Sequence, residues 1–353
     1  MSHLISDSFD SYGSINDVAA RWSAGGASAT SSRLSTGASE TPFAIGQSVG
    51  LKPFKQSLGI NFPANATIVY GAFRFNPFKL AGRFFAVNLF DGPNNAGTVS
   101  LVFNGDGKLE ARYGQTLGDA VDGTSLGSTL SAFPITGWTS VQFKIVVDAT
   151  VGEVHVRLNG SPTDVLSLTG INTKNGNSNI FVNRLFFHNG QNYDLGDPSV
   201  FLDDVFFCSG DAIAPNTWLP DLRAVQQLPT NATQSQFTAT GAPANWQAVA
   251  EAHADGDTSY VSAAAPGLED RYGLSAVPPG SQILGINYIA VAKKMDAGSA
   301  TLVVTLNGTD IVSNSAVATS YNPTSVFRNT DSTGAALTEA TANSAILGVK
   351  IGA

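Results

Sequence analysis

Cysteine is all but missing from this sequence: Cys208 is the only one in 353 residues. A single thiol forms no intramolecular disulfide, and cysteine-based zinc sites lack their ligands. Cys208 ends the apolar run Val205-Phe206-Phe207-Cys208, where a small buried thiol packs as a hydrophobe. Charge is scarce too, at 13% of residues, about half the usual share. Long helices and coiled coils need Glu and Lys in quantity, so both are excluded. Positive charge is the scarcer sign, with 19 Lys and Arg against 27 Asp and Glu and a net charge of −8. A diffuse negative surface repels phosphate backbones and anionic lipid, and Lys293-Lys294 is the only adjacent basic pair. Neither nucleic acid nor a membrane is an expected partner. No run approaches the ~18 apolar residues of a membrane-spanning helix. The opening Met1-Ser2-His3-Leu4-Ile5-Ser6-Asp7 has neither a basic nor an apolar leader, so synthesis in a cytoplasm is expected.

What is abundant points the other way. Hydrophobic residues reach 43%, enough over this length for a sizeable core, and 36 Gly with 16 Pro imply many turns. Period-two alternation dominates. Val141, Phe143, Ile145 and Val147 share one face, with Gln142, Lys144 and Asp148 opposite. After the turn Ala149-Thr150-Val151-Gly152, Val154, Val156 and Leu158 return inward while Glu153, His155 and Arg157 face out. Asn159-Gly160 then supplies a tight turn, because both residues tolerate positive φ. A second hairpin runs from Thr98 to Phe103, turns through Asn104-Gly105-Asp106-Gly107 and returns from Lys108 to Tyr113. Further strands are predicted over residues 67–75, 83–89, 180–188 and 200–208.

These strands predict an all-β, antiparallel sandwich over residues 1–209. Pro215, Pro220 and Pro229 interrupt the alternation, so 210–228 reads as a linker. A smaller β-rich domain is expected over 229–353. Its strands are predicted over 282–292, 301–306, 325–328 and 346–351, and Thr338 is placed to cap a short helix. Leu219 to Leu228 alternates well enough to be a strand of either unit.

Specific residues carry a family likeness. Asp7-Ser8-Phe9-Asp10-Ser11-Tyr12 followed by Arg21-Trp22 resembles the first strand of concanavalin A-like (laminin G-like) jelly-roll domains in tailed-phage structural proteins. The hairpin from Trp138 to Gly160 resembles their central strand pair, and Phe201-Leu202-Asp203-Asp204-Val205-Phe206 their closing strand. Leu219-Pro220-Asp221-Leu222-Arg223, Leu228-Pro229-Thr230, Asp255-Gly256-Asp257-Thr258-Ser259-Tyr260-Val261, Thr333-Gly334-Ala335-Ala336-Leu337-Thr338 and Gly348-Val349-Lys350-Ile351 follow in an order similar to phage minor tail or structural components. Leu337 stands where that family often has Trp. The resemblance covers nearly the whole chain. It implies a jelly roll, a place in the virion after assembly in the host cytoplasm, and other virion proteins as partners.

Chemistry-bearing patterns are few. Gly46-Gln47-Ser48-Val49-Gly50 and Gly123-Thr124-Ser125-Leu126-Gly127 match a nucleophile-elbow string, but neither reads as strand-turn-helix. Glucanases of this fold carry Glu-x-Asp-x-Glu on one strand face, which is absent here. Asp203 and Asp204, adjacent on a strand, are expected to face opposite ways, and Asp255 and Asp257 to lie in a solvated turn. Four dispersed histidines give no metal spacing, so no cofactor is expected. Calcium, which many laminin G-like domains bind, is kept as an alternative despite the lack of a dense loop series of Asp and Asn ligands. Glu153, His155 and Arg157 line one face and read first as the wet side of a hairpin. Carbohydrate recognition needs an aromatic platform beside amides and carboxylates. Tyr193, within Asn189-Gly190-Gln191-Asn192-Tyr193-Asp194, supplies one candidate, with Asn189, Gln191, Asn192 and Asp194 as its polar groups. Tyr113 before Gly114-Gln115 is another.

The leading expectation is a non-enzymatic virion protein acting by multivalent protein contact, as a tail-fibre or tail-tip component or as capsid decoration. Its free strand edges predict a homo-oligomer, a trimer for a fibre. The alternative is a module that binds host-surface polysaccharide. A polysaccharide hydrolase ranks third.

Overall fold

A computed structural model of the chain describes residues 2–9, 18, 21–22, 33–35, 48–51, 56–78, 80, 84–94, 96–114, 116, 121–130, 132–134, 136–190, 200–210, 218–252, 254–296 and 298–352. These fall into two compact units, one ending at Ala224 and the other starting at Val225.

The first unit's strands are β1 (Ser2–Asp7), β2 (Arg33–Ser35), β3 (Ser48–Leu51), β4 (Gln56–Ala66), β5 (Ile68–Asn76), β6 (Phe84–Asp91), β7 (Ala96–Asn104), β8 (Leu109–Tyr113), β9 (Thr124–Ser128), β10 (Thr139–Val146), β11 (Gly152–Leu158), β12 (Leu166–Ile171), β13 (Val182–Gly190) and β14 (Val200–Ser209). They build two antiparallel sheets. One runs β12-β11-β10-β5-β14-β3-β2, with β1 also on β14; the other runs β4-β13-β6-β7-β8-β9. Strands distant in sequence lie side by side, β5 between β10 and β14, and β13 between β4 and β6. This is the expected all-β jelly-roll sandwich.

Phenylalanine fills the space between the sheets. Phe73 and Phe75 of β5 meet Phe85, Phe103 and Phe187 of the facing sheet at centroid distances of 4.8 to 6.2 Å. The β10–β11 hairpin has the register its alternation implies, with Val141 opposite Leu158, Phe143 opposite Val156 and Ile145 opposite Val154. Asn159 and Gly160 turn it at φ of 54° and 70°. Phe143 is buried over Gly71, whose missing Cβ leaves room for the ring.

The opening motif has a structural explanation. Asp7 is buried, accepts the Phe9 amide and the Trp22 indole N–H at 2.8 Å each, and pairs with Arg21 at 3.4 Å. Asp203 and Asp204 depart from strict alternation. A bulge in β14 leaves Asp204 at φ 51°, and both carboxylates are buried. Arg74 lies opposite Asp203 in register and pairs with Asp204 at 3.1 Å. The expected opposite-face placement therefore fails, because an extra residue shifts the side-chain phase.

Residues 218–224 form no strand. They strap the outer face of the first sheet: Leu219 packs on Tyr70, Ala72 and Cys208, Asp221 pairs with Arg74 at 2.7 Å, and the Ala224 amide donates to Asp204. This half of the proline-containing segment therefore belongs to the first unit.

The second unit contains β15 (Pro229–Gln234), β16 (Thr238–Thr240), β17 (Tyr260–Ser262), β18 (Glu269–Leu274), β19 (Ile286–Ala292), β20 (Thr301–Leu306), β21 (Thr309–Ala316), β22 (Asn322–Arg328), α1 (Glu339–Asn343) and β23 (Ile346–Ile351). A five-stranded sheet runs β15-β18-β23-β20-β21, beside the pairs β16-β17 and β19-β22. Tyr288, Val304, Leu306 and Ala345 form its core cluster. Asp270, fully buried, accepts hydrogen bonds from the Gln236 and Phe237 amides, the Asn245 side chain and the Tyr272 hydroxyl. Thr338 caps α1 as expected, accepting from the Thr341 amide.

Candidate functional site

Of the nominated loop, Gln191, Asn192, Tyr193 and Asp194 lie outside the described residues. Asn189 does not share a loop: it closes β13, is fully buried, and donates to the Leu51 carbonyl at 2.8 Å. As placed, its side chain meets backbone rather than solvent.

Glu153, His155 and Arg157 line one outer face, joined by residues from neighbouring strands and the strap. Lys144 pairs with Glu153, and Arg157 pairs with Asp164 at 2.6 Å while stacking 3.8 Å over the Trp218 ring. Asp164 and Ser167 both meet His155 at Nδ1, at 2.8 and 3.2 Å, and Glu153 faces Nε2 at 3.5 Å. Ser167 and the hydrogen-bonded carboxylate Asp164 share one ring nitrogen instead of taking opposite ones as in a serine triad, and Glu153 on the other nitrogen is an ion-pair contact rather than a hydrogen bond. Of the two nucleophile-elbow serines, Ser48 is buried in β3 and Ser125 is exposed in β9; neither precedes a helix. Asp255 and Asp257 occupy the expected turn, Asp257 held by Lys293 and the Tyr321 hydroxyl. Burial pushes the Cys208 thiol up to about 12, as befits packing rather than reactivity.

The outer face of the second sheet is closed at its centre. Asn88 accepts the Thr116 amide and the Ser100 hydroxyl at 2.8 Å each and donates to the Thr116 carbonyl at 3.1 Å. Phe84, Ala86 and Val102 pack there with Val121.

The polar groups converge instead on one end of the sandwich. Asp91, at the end of β6, is fully buried. Asn179 donates to both its oxygens at 3.1 and 3.2 Å, and Asn94 to one of them. Asn175 and Asn177 donate to the Gly97 carbonyl at 3.0 and 3.4 Å. Asn183 accepts the Gly92 amide at 2.8 Å and donates to Asn65 at 3.1 Å, while Arg184 Nε donates to Asn61 Oδ1 at 2.7 Å. The loops after β6 and β12 are thereby tied to each other, and β13 to β4 beside them. Tyr113 sits at the same end, half-buried on the inward face with Leu109 and Ala111. A Cβ on the next residue, Gly114, would lie 3.5 Å from Asn175 Nδ2.

The arrangement has a direction. With the N–H groups of Asn94, Asn175, Asn177 and Asn179 turned into the protein, their carboxamide oxygens accept no hydrogen bond and none is buried among the described residues. Fixed acceptors, held in place by the buried Asp91 carboxylate and the Gly97 carbonyl, suit a ligand rich in hydroxyl donors. A signal for this site stands in the sequence: five asparagines between 172 and 183, an amide-rich loop series that a search for carboxylate ligands passes over. Among the described residues, no group of three or more His, Cys, Asp or Glu is placed to hold a metal ion.

No family model and no curated protein matches the chain. Among solved structures it is similar to an alginate lyase mutant in complex with alginate tetrasaccharide, at 13% identity over 59% of this chain and 98% of that one, with a TM-score of 0.38. It is also similar to a Caenorhabditis elegans galectin, at 9% identity over 42% of this chain and 89% of that one, TM-score 0.28. The CBM2 module of an evolved Dit protein from Lactobacillus casei BL23 phage J-1 is 16% identical over 46% of this chain and 68% of that one, TM-score 0.30. These are likenesses of β-sandwich architecture at low identity.

Proposed function

We propose that the first unit is a non-enzymatic glycan-binding module, carried by a structural protein of a tailed-phage virion and directed at host-surface polysaccharide. The observation that carries this reading is the convergence of Asn94, Asn175, Asn177 and Asn179 with Asp91 and Tyr113 at one end of the sandwich. The virion setting is supported by the order of segments that resembles phage minor tail proteins. A single amide-rich rim binds weakly, and association into a homo-oligomer, a trimer for a fibre, raises avidity without any new contact.

A glycan array probed with the full chain tests the binding. Asn94→Ala and Asn177→Ala leave Asn179 on Asp91 and are expected together to weaken binding at least tenfold, with the melting temperature kept. The same titration with Tyr193→Ala tests whether the nominated loop joins this surface. Absence of any hit across bacterial surface glycans would sink the reading. Antibody labelling of virions tests the setting, and label on neither head nor tail removes it.

A further inference from the structure

The rim reverses its hydrogen-bond polarity from one side to the other, and we infer that its Arg184 side is a subsite for a carboxylate, making the ligand an acidic polysaccharide. This inference rests on the glycan-binding reading above. Arg184 of β13 lies opposite Asn61 of β4 and Phe90 of β6. Its Nε is held by Asn61 Oδ1 at 2.7 Å, which fixes the guanidinium and leaves the two Nη groups without a partner among the described residues. Arg21, Arg74, Arg112, Arg157 and Arg271 differ, each having a carboxylate within 3.4 Å. Asn61 and Asn65 are both exposed, and their oxygens are already occupied by Arg184 and Asn183. What they offer outward is N–H alone.

The residue beside this guanidinium is Gly92, where a Cβ would collide with Asn183 Oδ1 and lie 3.6 Å from Arg184 Nη2. Asp91 is turned inward and occupied by Asn94 and Asn179, so it does not pair with the guanidinium. A side made only of donors complements a group made only of acceptors. The planar fork matches the two oxygens of a carboxylate, and the hydroxyls of the same sugar chain would meet the oxygen-rich side of the rim. Phosphate shares the oxyanion chemistry, so the test must separate the two.

Binding of the full chain is measured to polygalacturonate and hyaluronate, to their carboxyl-reduced forms, and to a phosphodiester teichoic acid. At least tenfold tighter binding of an acidic form over its reduced counterpart is expected. Arg184→Gln should erase that preference, so that the acidic and reduced polymers bind with equal affinity. Asn61→Asp gives the guanidinium an internal carboxylate and should erase it as well, with circular dichroism confirming the fold. Equal binding of both forms, indifferent to Arg184→Gln, overturns the carboxylate subsite and leaves the glycan reading standing. An Arg184-dependent preference for the teichoic acid over both polyuronates overturns it too. Binding to none of the polymers, nor to any glycan on the array, overturns the reading beneath.

Discussion

Phe143→Ala empties the middle of the first unit's core. The ring is 1% exposed, lies 5.3 Å from Phe207 in an edge-to-face contact, and fills the space above Gly71. Replacing it removes roughly 100–150 Å² of buried apolar area, about 2.5–4 kcal/mol at ~25 cal/mol/Å². Collapse into the hole is hindered, because Phe207 is itself held by Phe62 and Phe187 and Gly71 has no side chain to move in. A cavity contribution therefore adds, and the total sits at about 4 kcal/mol, inside the ~3–5 kcal/mol range for such truncations. Cys208 is a convenient reporter. It is the only thiol, it is buried in this unit, and its raised pKa keeps it unreactive in the native state. Pulsed thiol labelling across a urea titration of the full chain should show the midpoint falling by roughly 1.5 M at an m-value of about 2.5 kcal/mol/M. A fall corresponding to less than about 1 kcal/mol would mean that the ring does not occupy the core.

Leu219→Ala should loosen the strap over Cys208, so that native-state labelling of this thiol speeds up; an unchanged rate would show that the strap does not shield it. Asp270→Ala strands four donors around a fully buried position and should cost the second unit about 3 kcal/mol or more, read by calorimetry, with Asp270→Asn restoring part of it. Acid should weaken the same unit through Glu269. Burial alone would raise its carboxyl, but hydrogen bonds from Arg271 and Thr305 outweigh burial and hold it below its ordinary 4.5. A depressed folded pKa gives stabilisation that is complete above the unfolded value and drains as pH falls through the folded one. Glu269→Gln should flatten that acid limb of the melting curve, and an unaltered limb would refute the assignment.

The all-β class, the β10–β11 register and strands such as β5, β6, β13, β14, β20 and β23 were legible because they are local, whereas β4, β12, β15, β18 and β21 were not predicted. Period-two burial and Asn-Gly turns are written within ten or so residues, and an inward Phe143 requires an inward Val141 and Ile145. The bulge at Asp204 escaped, since an added residue in β14 shows only against its partner β5. So did the strap, whose Leu219 finds Tyr70 and Cys208 on a sheet face formed elsewhere. The candidate site lies furthest from local reading. Asp91 meets Asn179 across 88 residues, and Arg184 meets Asn61 across 123. Sequence alone determines which segments alternate and turn. Which asparagines share a rim, and that Arg184 meets Asn61 rather than a carboxylate, depends on the order of strands in the sheet, because only that order sets loops side by side.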